Sequence, residues 1–169
     1  EAVHAMLRAR SAGELDESMR SWVDPGNNFV FADVHGETGY RTRGRVPIRP
    51  RANGWLPVPG WTGEYEWEGF VPFEEMPHAR NPETGFLGTA NNRIVGPEYP
   101  YYLSVDYAAG FRALRLNELL AELKSATTED MVRILRDHRS LAAAEFPALA
   151  RRVDAGGDPV AEKARRLLV

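Results

Sequence analysis

Helical spacing at both ends of the chain and a two-residue period between them predict an α+β fold, antiparallel hairpin strands followed by C-terminal helices. Apolar positions recur at helical intervals over residues 1–22 and 106–169, whereas residues 27–95 alternate as strands do. Turn dipeptides join neighbouring runs, so the sheet is made of sequence-local hairpins, and the 169 residues read as one segment.

Val3, Met6 and Leu7 fall at helical spacing, and Ser11 with Glu14 forms a capping box for a second helical piece ending near Trp22. Asp24-Pro25-Gly26 then breaks the helix. Phe29, Phe31 and Ala32 begin a strand, His35-Gly36 supplies the turn, and Gly39 to Arg43 returns. Pro47, Pro50, Pro57 and Pro59 predict a stiff, irregular loop over residues 46–60, because proline fixes φ and withholds its N–H. Glu64-Tyr65-Glu66-Trp67-Glu68 predicts a half-buried strand with its aromatics inward, and Gly85 to Ala90 a further short strand ending at Asn91-Asn92-Arg93. Beyond Pro100 the character is helical: Leu116, Leu119, Leu120 and Leu123 form one stripe, and Thr127 with Asp130 starts the next helix. Leu141–Val153 and Val160–Val169 follow, separated by Gly156-Gly157, with Asp158 as cap and Pro159 in the first helical position.

Composition narrows the function classes. Hydrophobic residues are 43% and charged residues 27%, ordinary for a globular chain. A net charge of -3 gives no overall field drawing in nucleic acid or an anionic membrane, and no apolar run is long enough to span a bilayer. The absence of cysteine removes disulfides and thiolate chemistry together. Glu1-Ala-Val-His-Ala-Met-Leu7 carries no signal-peptide pattern and reads as the middle of a helix rather than a natural start.

The informative stretch is Pro57-Val-Pro-Gly-Trp-Thr-Gly-Glu-Tyr-Glu-Trp-Glu-Gly-Phe-Val-Pro-Phe-Glu-Glu-Met-Pro77, followed by Asn81-Pro-Glu-Thr-Gly-Phe-Leu-Gly-Thr-Ala-Asn-Asn-Arg93. Upstream stand Asn28-Phe-Val-Phe-Ala-Asp-Val-His-Gly-Glu-Thr-Gly-Tyr-Arg41 and Gly44-Arg-Val-Pro47. In order and spacing these motifs resemble the penicillin amidase family of N-terminal-nucleophile hydrolases, over about residues 20–120. The resemblance implies an internal fragment of that family's β-chain and a share in its αββα architecture. It also implies an amide hydrolase acting on linear N-acyl amides, such as a β-lactam side chain or an N-acyl homoserine lactone, in the periplasm or outside the cell.

In that family a β-chain N-terminal serine attacks the amide, with its own α-amine as base, since a free α-amine titrates at about 8. The oxyanion that forms needs donors already in place. By the resemblance, Asn91 is the oxyanion-hole asparagine and Arg112, in Ala109-Gly-Phe-Arg-Ala-Leu-Arg115, is the arginine that positions it. From the residues alone Asn91-Asn92 reads as a strand-ending turn, a role Asn92 keeps. Arg112 alone reads equally as a salt-bridged helix arginine, with Arg115 as the alternative counterpart. Family members bind a structural calcium; Asp106 is the one acid in the corresponding neighbourhood and its spacing fits poorly, so neither metal nor cofactor is expected.

Residue 1 is Glu, and Ser11, Ser18, Ser21, Ser104, Ser125 and Ser140 have no free α-amine and lie in no Gly-x-Ser-x-Gly elbow, so no nucleophile is expected within the chain. None of the four histidines is paired with an obvious nucleophile, and His35 belongs to the hairpin turn. Glu74 and Glu75 are adjacent on an extended chain and point apart, unlike a glycosidase acid pair. The chain alone is therefore expected to be inactive, with the remaining acylase α- and β-chains as partners and an N-acyl amide as substrate. Uncovered strand edges add an expectation of self-association, or of a helix folded over the exposed face. The rival reading is a binding module using the basic hairpin Arg41, Arg43, Arg45, Arg49 and Arg51, which otherwise reads as a solvated face or as pairing with Glu64, Glu66 and Glu68.

Overall fold

The computed structural model describes residues 1–169, which divide into two compact units, Glu1–Ala108 and Ala109–Val169. The first unit opens with α1 (Ala2–Met6) and α2 (Ala12–Ser18). Ser11 caps α2: its Oγ accepts from Glu14 N at 3.2 Å, while the Glu14 carboxylate reaches back to Arg10 N at 2.8 Å. A second cap comes from far along the chain, because Asp33 in the hairpin turn accepts from Ala12 N at 3.0 Å. Asp33 also accepts from the backbone of His35 and Glu37, so one carboxylate holds both the turn and the helix start. These bonds, that from Ala12 foremost, pull its pKa below the ordinary carboxylate value.

The hairpin forms as its alternation predicts. β1 (Asn27–Ala32) and β2 (Thr38–Arg43) pair antiparallel with Phe29 opposite Arg41 and Phe31 opposite Gly39. Gly36 closes the turn at φ 87°, a conformation that costs a residue with Cβ. Phe31 lies so closely over Gly39 that a Cβ there would sit 2.3 Å from the ring. Phe31 then joins Ala12 and Met19 in the core, flanked by Met6, Leu15, Phe29 and Phe73. Burying side chains of this size stabilises by roughly 1.5–3 kcal/mol each.

The inward face of β2 is Gly39, Arg41 and Arg43, which corrects the expectation of a solvated arginine face or of pairing with Glu64, Glu66 and Glu68. Arg41 forks onto Asp16, donates to Phe73 O at 2.8 Å and lies 3.9 Å from the Phe73 ring centroid. Arg43 donates to Asn27 Oδ1 at 2.8 Å and is sandwiched between Trp22 and Phe29. A guanidinium can be buried this way because aromatic faces take its plane while its N–H groups keep acceptors.

The third strand is β3 (His78–Arg80), antiparallel to β2 with Arg41 opposite His78. Neither Glu64–Glu68 nor Gly85–Ala90 is a strand. Alternation encodes a face but not a partner, and no strand lies alongside either run; Trp67 is left exposed. Contacts near the first run are a Pro47–Phe70 bridge, the hydrogen bonds around Ile48, a bond from Asn53 Nδ2 to Tyr65 O and an edge-on contact of Trp67 with Phe70. The proline-rich loop contains one unexpected helical turn, α3 (Arg51–Trp55), begun at Pro50. Gly54 in it meets the Tyr102 ring at a distance no side chain would permit.

The second unit consists of α4 (Phe111–Ala121), α5 (Thr128–Leu135), α6 (Phe146–Arg152) and α7 (Pro159–Leu168). Thr127 and Asp130 complete the capping box at α5, and Asp158 caps α7 ahead of Pro159, as their spacing predicts. The third helical piece is shorter than its predicted span, starting at Phe146 rather than Leu141. Leu119 and Ala150 are the hydrophobic side chains buried in this unit, whereas Leu135, Leu149, Leu167 and Leu168 are exposed.

Candidate functional site

Asn91 sits in a turn rather than at the end of a strand, which corrects the expected local setting. Its φ is 58°, in the left-handed region that asparagine tolerates better than most residues. The turn is tied at several points. Asn91 O accepts from Ala108 N at 2.9 Å. Asn92 Oδ1 accepts from Ala90 N at 3.1 Å, and its Nδ2 donates to Arg93 O at 2.8 Å, so Asn92 has the turn-forming role its sequence position predicts. Upstream, Asn28 Nδ2 donates to Thr89 Oγ1 at 3.3 Å. The Asn28 carbonyl oxygen is held in turn by the hydroxyls of Tyr40 and Thr42, at 2.6 and 3.0 Å, on the sheet face opposite the core. Burial pushes the Tyr40 pKa up, in keeping with a neutral hydroxyl inside that network. Asn28, Tyr40 and Thr89 are contributors that the sequence reading missed; the polar outward positions of an otherwise aromatic hairpin were the available signal.

Asn91 itself is exposed. A side-chain amide offers two N–H donors and, unlike a carboxylate, meets a developing negative charge without repulsion. Its backbone is held by the bonds around the turn, and an amide on such a support can donate to an anion.

Arg112 belongs to the second unit, one residue into α4. It is exposed and lines a cavity of about 280 Å³ together with Arg115, Leu119, Ile134, Asp137 and Arg139. Arg115 is already committed: its Nε and Nη2 take both oxygens of Asp137, at 3.1 and 2.7 Å, and its Nη1 reaches Glu118 at 3.2 Å. That fork raises the Arg115 pKa and lowers that of Asp137. Arg115 therefore ties α4 to the segment just after α5, and Arg112 lines the same cavity.

Within the first unit, the segment after Asn91 lines a basin of about 210 Å³ that includes Arg51, Arg93, Tyr99, Tyr101, Tyr102 and Tyr107. Tyr99 donates to Glu75 O at 2.9 Å, and burial, with Tyr101 and Glu75 nearby, pushes its pKa up to about 12. Tyr101 donates to the Glu75 carboxylate and Glu74 pairs with Arg20; the two acids lie in a 3-10 turn, Phe73–Glu75, rather than on the extended chain expected, and are engaged separately.

Four of the six serines make local hydrogen bonds. Ser11 and Ser140 accept from backbone amides, Ser18 donates to Leu15 O, and Ser104 accepts from Asp106 N at 3.0 Å. His78 Nδ1 lies 2.8 Å from Met76 O, and His35 is exposed in the hairpin turn. The basic hairpin presents fewer arginines than the rival reading expects: Arg41 and Arg43 are buried, whereas Arg45 and Arg51 are exposed over Phe70 and Trp55 and Arg49 is half-buried over Tyr102.

Comparison with known proteins matches residues 1–168 to the family model described as penicillin amidase. The chain is 39% identical over 168 residues to penicillin acylase 2 proenzyme of Pseudomonas sp. (strain SE83), covering 97% of this chain and 21% of that protein. It is 39% identical over 144 residues to the acyl-homoserine lactone acylase QuiP of Pseudomonas aeruginosa, covering 85% of this chain and 17% of the relative. Among solved structures, the thermostable penicillin G acylase from Alcaligenes faecalis superposes with a TM-score of 0.69 at 22% identity, over 99% of this chain and 30% of that one. At that identity the superposition speaks for the α+β fold. The chain spans about a fifth of the length of these curated relatives.

Proposed function

Since the chain belongs to the penicillin amidase family, we propose that it is the part of an N-terminal-nucleophile acylase that supplies the oxyanion donor, Asn91. The substrate class is a linear N-acyl amide: a penicillin side chain, an N-acyl homoserine lactone, or a related N-acylated amine. The nucleophilic serine and its α-amine come from outside residues 1–169, so the chain alone does not turn over substrate. Its partners are the remaining α- and β-chain segments of the acylase, which would cover apolar side chains such as Leu135 and Leu167.

The serine oxygen bonds to the amide carbon while its proton passes to the α-amine, and the electron pair of the carbonyl moves onto oxygen. The Asn91 amide donates to that oxygen. Collapse expels the amine, which takes the proton, and water then releases the acid from the acyl-serine. Arg112, in the second unit, keeps the positioning role that the family motif implies, its planar fork of donors being suited to amide and carboxyl groups. Acyl transfer of this kind needs a nucleophile, a base and fixed donors, and no cofactor is proposed. What carries the reading is Asn91 itself: an exposed amide in a turn tied from both sides, at the position the family motif gives to the oxyanion donor.

Loss of one such donor raises the barrier by about 2.7–4 kcal/mol, or about 10²–10³ in kcat. In the acylase bearing this segment, Asn91→Ala is expected to lower kcat on a phenylacetyl anilide by that factor. Unchanged kcat rejects the assignment, as does turnover by the isolated 169-residue chain.

A further inference from the structure

Resting on the reading of Asn91 as oxyanion donor, we propose that Asn92 is its positioning residue, the side chain that fixes where the Asn91 amide points. Asn91 holds φ at 58°, and a residue with Cβ stays in that region when its surroundings over-determine it. The Asn92 side chain provides that determination with both ends of its amide. Its oxygen accepts from Ala90 N–H at 3.1 Å, on the residue before Asn91, and its nitrogen donates to Arg93 C=O at 2.8 Å, two residues after Asn91. The Ala108 N–H to Asn91 O bond, 2.9 Å, fixes the peptide between the two asparagines. An asparagine that merely starts a turn uses its acceptor on backbone just ahead; here one amide clamps backbone behind and ahead of the residue that does the chemistry. Asn92 is half-buried and its neighbour exposed, so the two amides divide the work of bracing and donation. Relaxation of Asn91 out of the left-handed region would swing its Cβ away, and a displacement of about 1 Å at a reacting centre costs about 10²-fold in rate.

The test is a double-substitution cycle in the acylase bearing this segment, with phenylacetyl anilide as substrate. Asn92→Ala is expected to lower kcat by about 10–100-fold with KM within about two-fold, because the donor is misaimed rather than the substrate released. Asn92→Asp keeps the acceptor for Ala90 N–H, loses the donor to Arg93 C=O, and is expected to fall between Asn92→Ala and the parent. Since Asn92 acts through Asn91, the double variant Asn91→Ala/Asn92→Ala is expected to match Asn91→Ala alone within about two-fold. If Asn91→Ala is crippled while Asn92→Ala keeps full kcat, the bracing role is wrong and the oxyanion assignment stands. If the two losses multiply, Asn92 supports the fold at large and the proposal fails. If Asn91→Ala itself keeps kcat, the oxyanion assignment falls and this inference with it. Where Asn92→Ala gives no folded enzyme, Asn92→Asp carries the same cycle under the same criteria.

Discussion

Replacing Arg41 by Met tests whether the inward arginines of β2 are structural. The substitution keeps most of the aliphatic stem and removes the fork that holds both oxygens of Asp16 and the Phe73 carbonyl, together with the stacking on the Phe73 ring. The Arg41 side chain is 5% exposed and Asp16 22%. Breaking a buried pair from one side costs about 3–5 kcal/mol, most of it from the charge left behind. Asp16 keeps some access to water, which places the expected loss near the lower end, about 3 kcal/mol. For a chain of this size that is a fall in Tm of roughly 6–12 °C. Urea unfolding with an unchanged m-value reads the difference directly. Adding Asp16→Leu to Arg41→Met should recover part of it, since the stranded carboxylate is then gone. A loss below about 0.5 kcal/mol, the range of surface substitutions, would refute the clamp and return Arg41 to the solvent-facing role that the basic-hairpin reading requires.

Further outcomes follow from the same structure. Gly39→Ala should destabilise by about 1–3 kcal/mol and loosen Phe31, seen as a lower urea midpoint, because the new Cβ meets the Phe31 ring at 2.3 Å. Met19→Ala, at a side chain 1% exposed in the core, should cost about 2–5 kcal/mol in the same measurement. Arg165 and Arg166 pull the Glu162 pKa down from 4.5 to about 2. The folded value is the lower one, so its support of α7 is complete above pH 4.5 and is lost as pH falls toward 2. Far-ultraviolet circular dichroism should show helix loss in that window, moved to higher pH by Arg165→Gln with Arg166→Gln. In the acylase bearing this segment, Arg112→Ala should lower kcat/KM at least ten-fold by this account, whereas Arg115→Gln should lower Tm and leave kcat in place, its fork being spent on Asp137.

Much of the fold was legible because local rules carried it. The Phe29 to Arg43 hairpin, the Ser11 cap, the Thr127–Asp130 box and the Asp158-Pro159 helix start form where their spacing puts them, although the Glu14 carboxylate turns to Arg10 N instead of closing a box on Ser11. Elements that depend on a distant partner were not legible. Glu64 to Glu68 alternates as a strand does, but no strand lies beside it, and the strand that does join β2 is the short His78–Arg80, which carries no pattern of its own. Arg41 and Arg43 look like a solvated face in one dimension; only the fold brings Asp16, Phe73 and Trp22 to them. For the proposed site, Asn91 stands out through its motif alone, since an Asn-Asn pair by itself reads as a turn, and a turn is what forms. The hold of Asn28 on Thr89, across 61 residues, had no signature in the sequence.

As oxyanion donor, Asn91 meets charge that appears only in the tetrahedral state. A boronic acid analogue of the acyl group becomes a tetrahedral anion on the nucleophile, whereas the product carboxylic acid occupies the same pocket without forming one. Measured on the acylase bearing this segment and its Asn91→Ala variant, boronate affinity is expected to fall about 100-fold while product-acid affinity stays within about two-fold. Equal losses for both, or none for the boronate, would contradict that role.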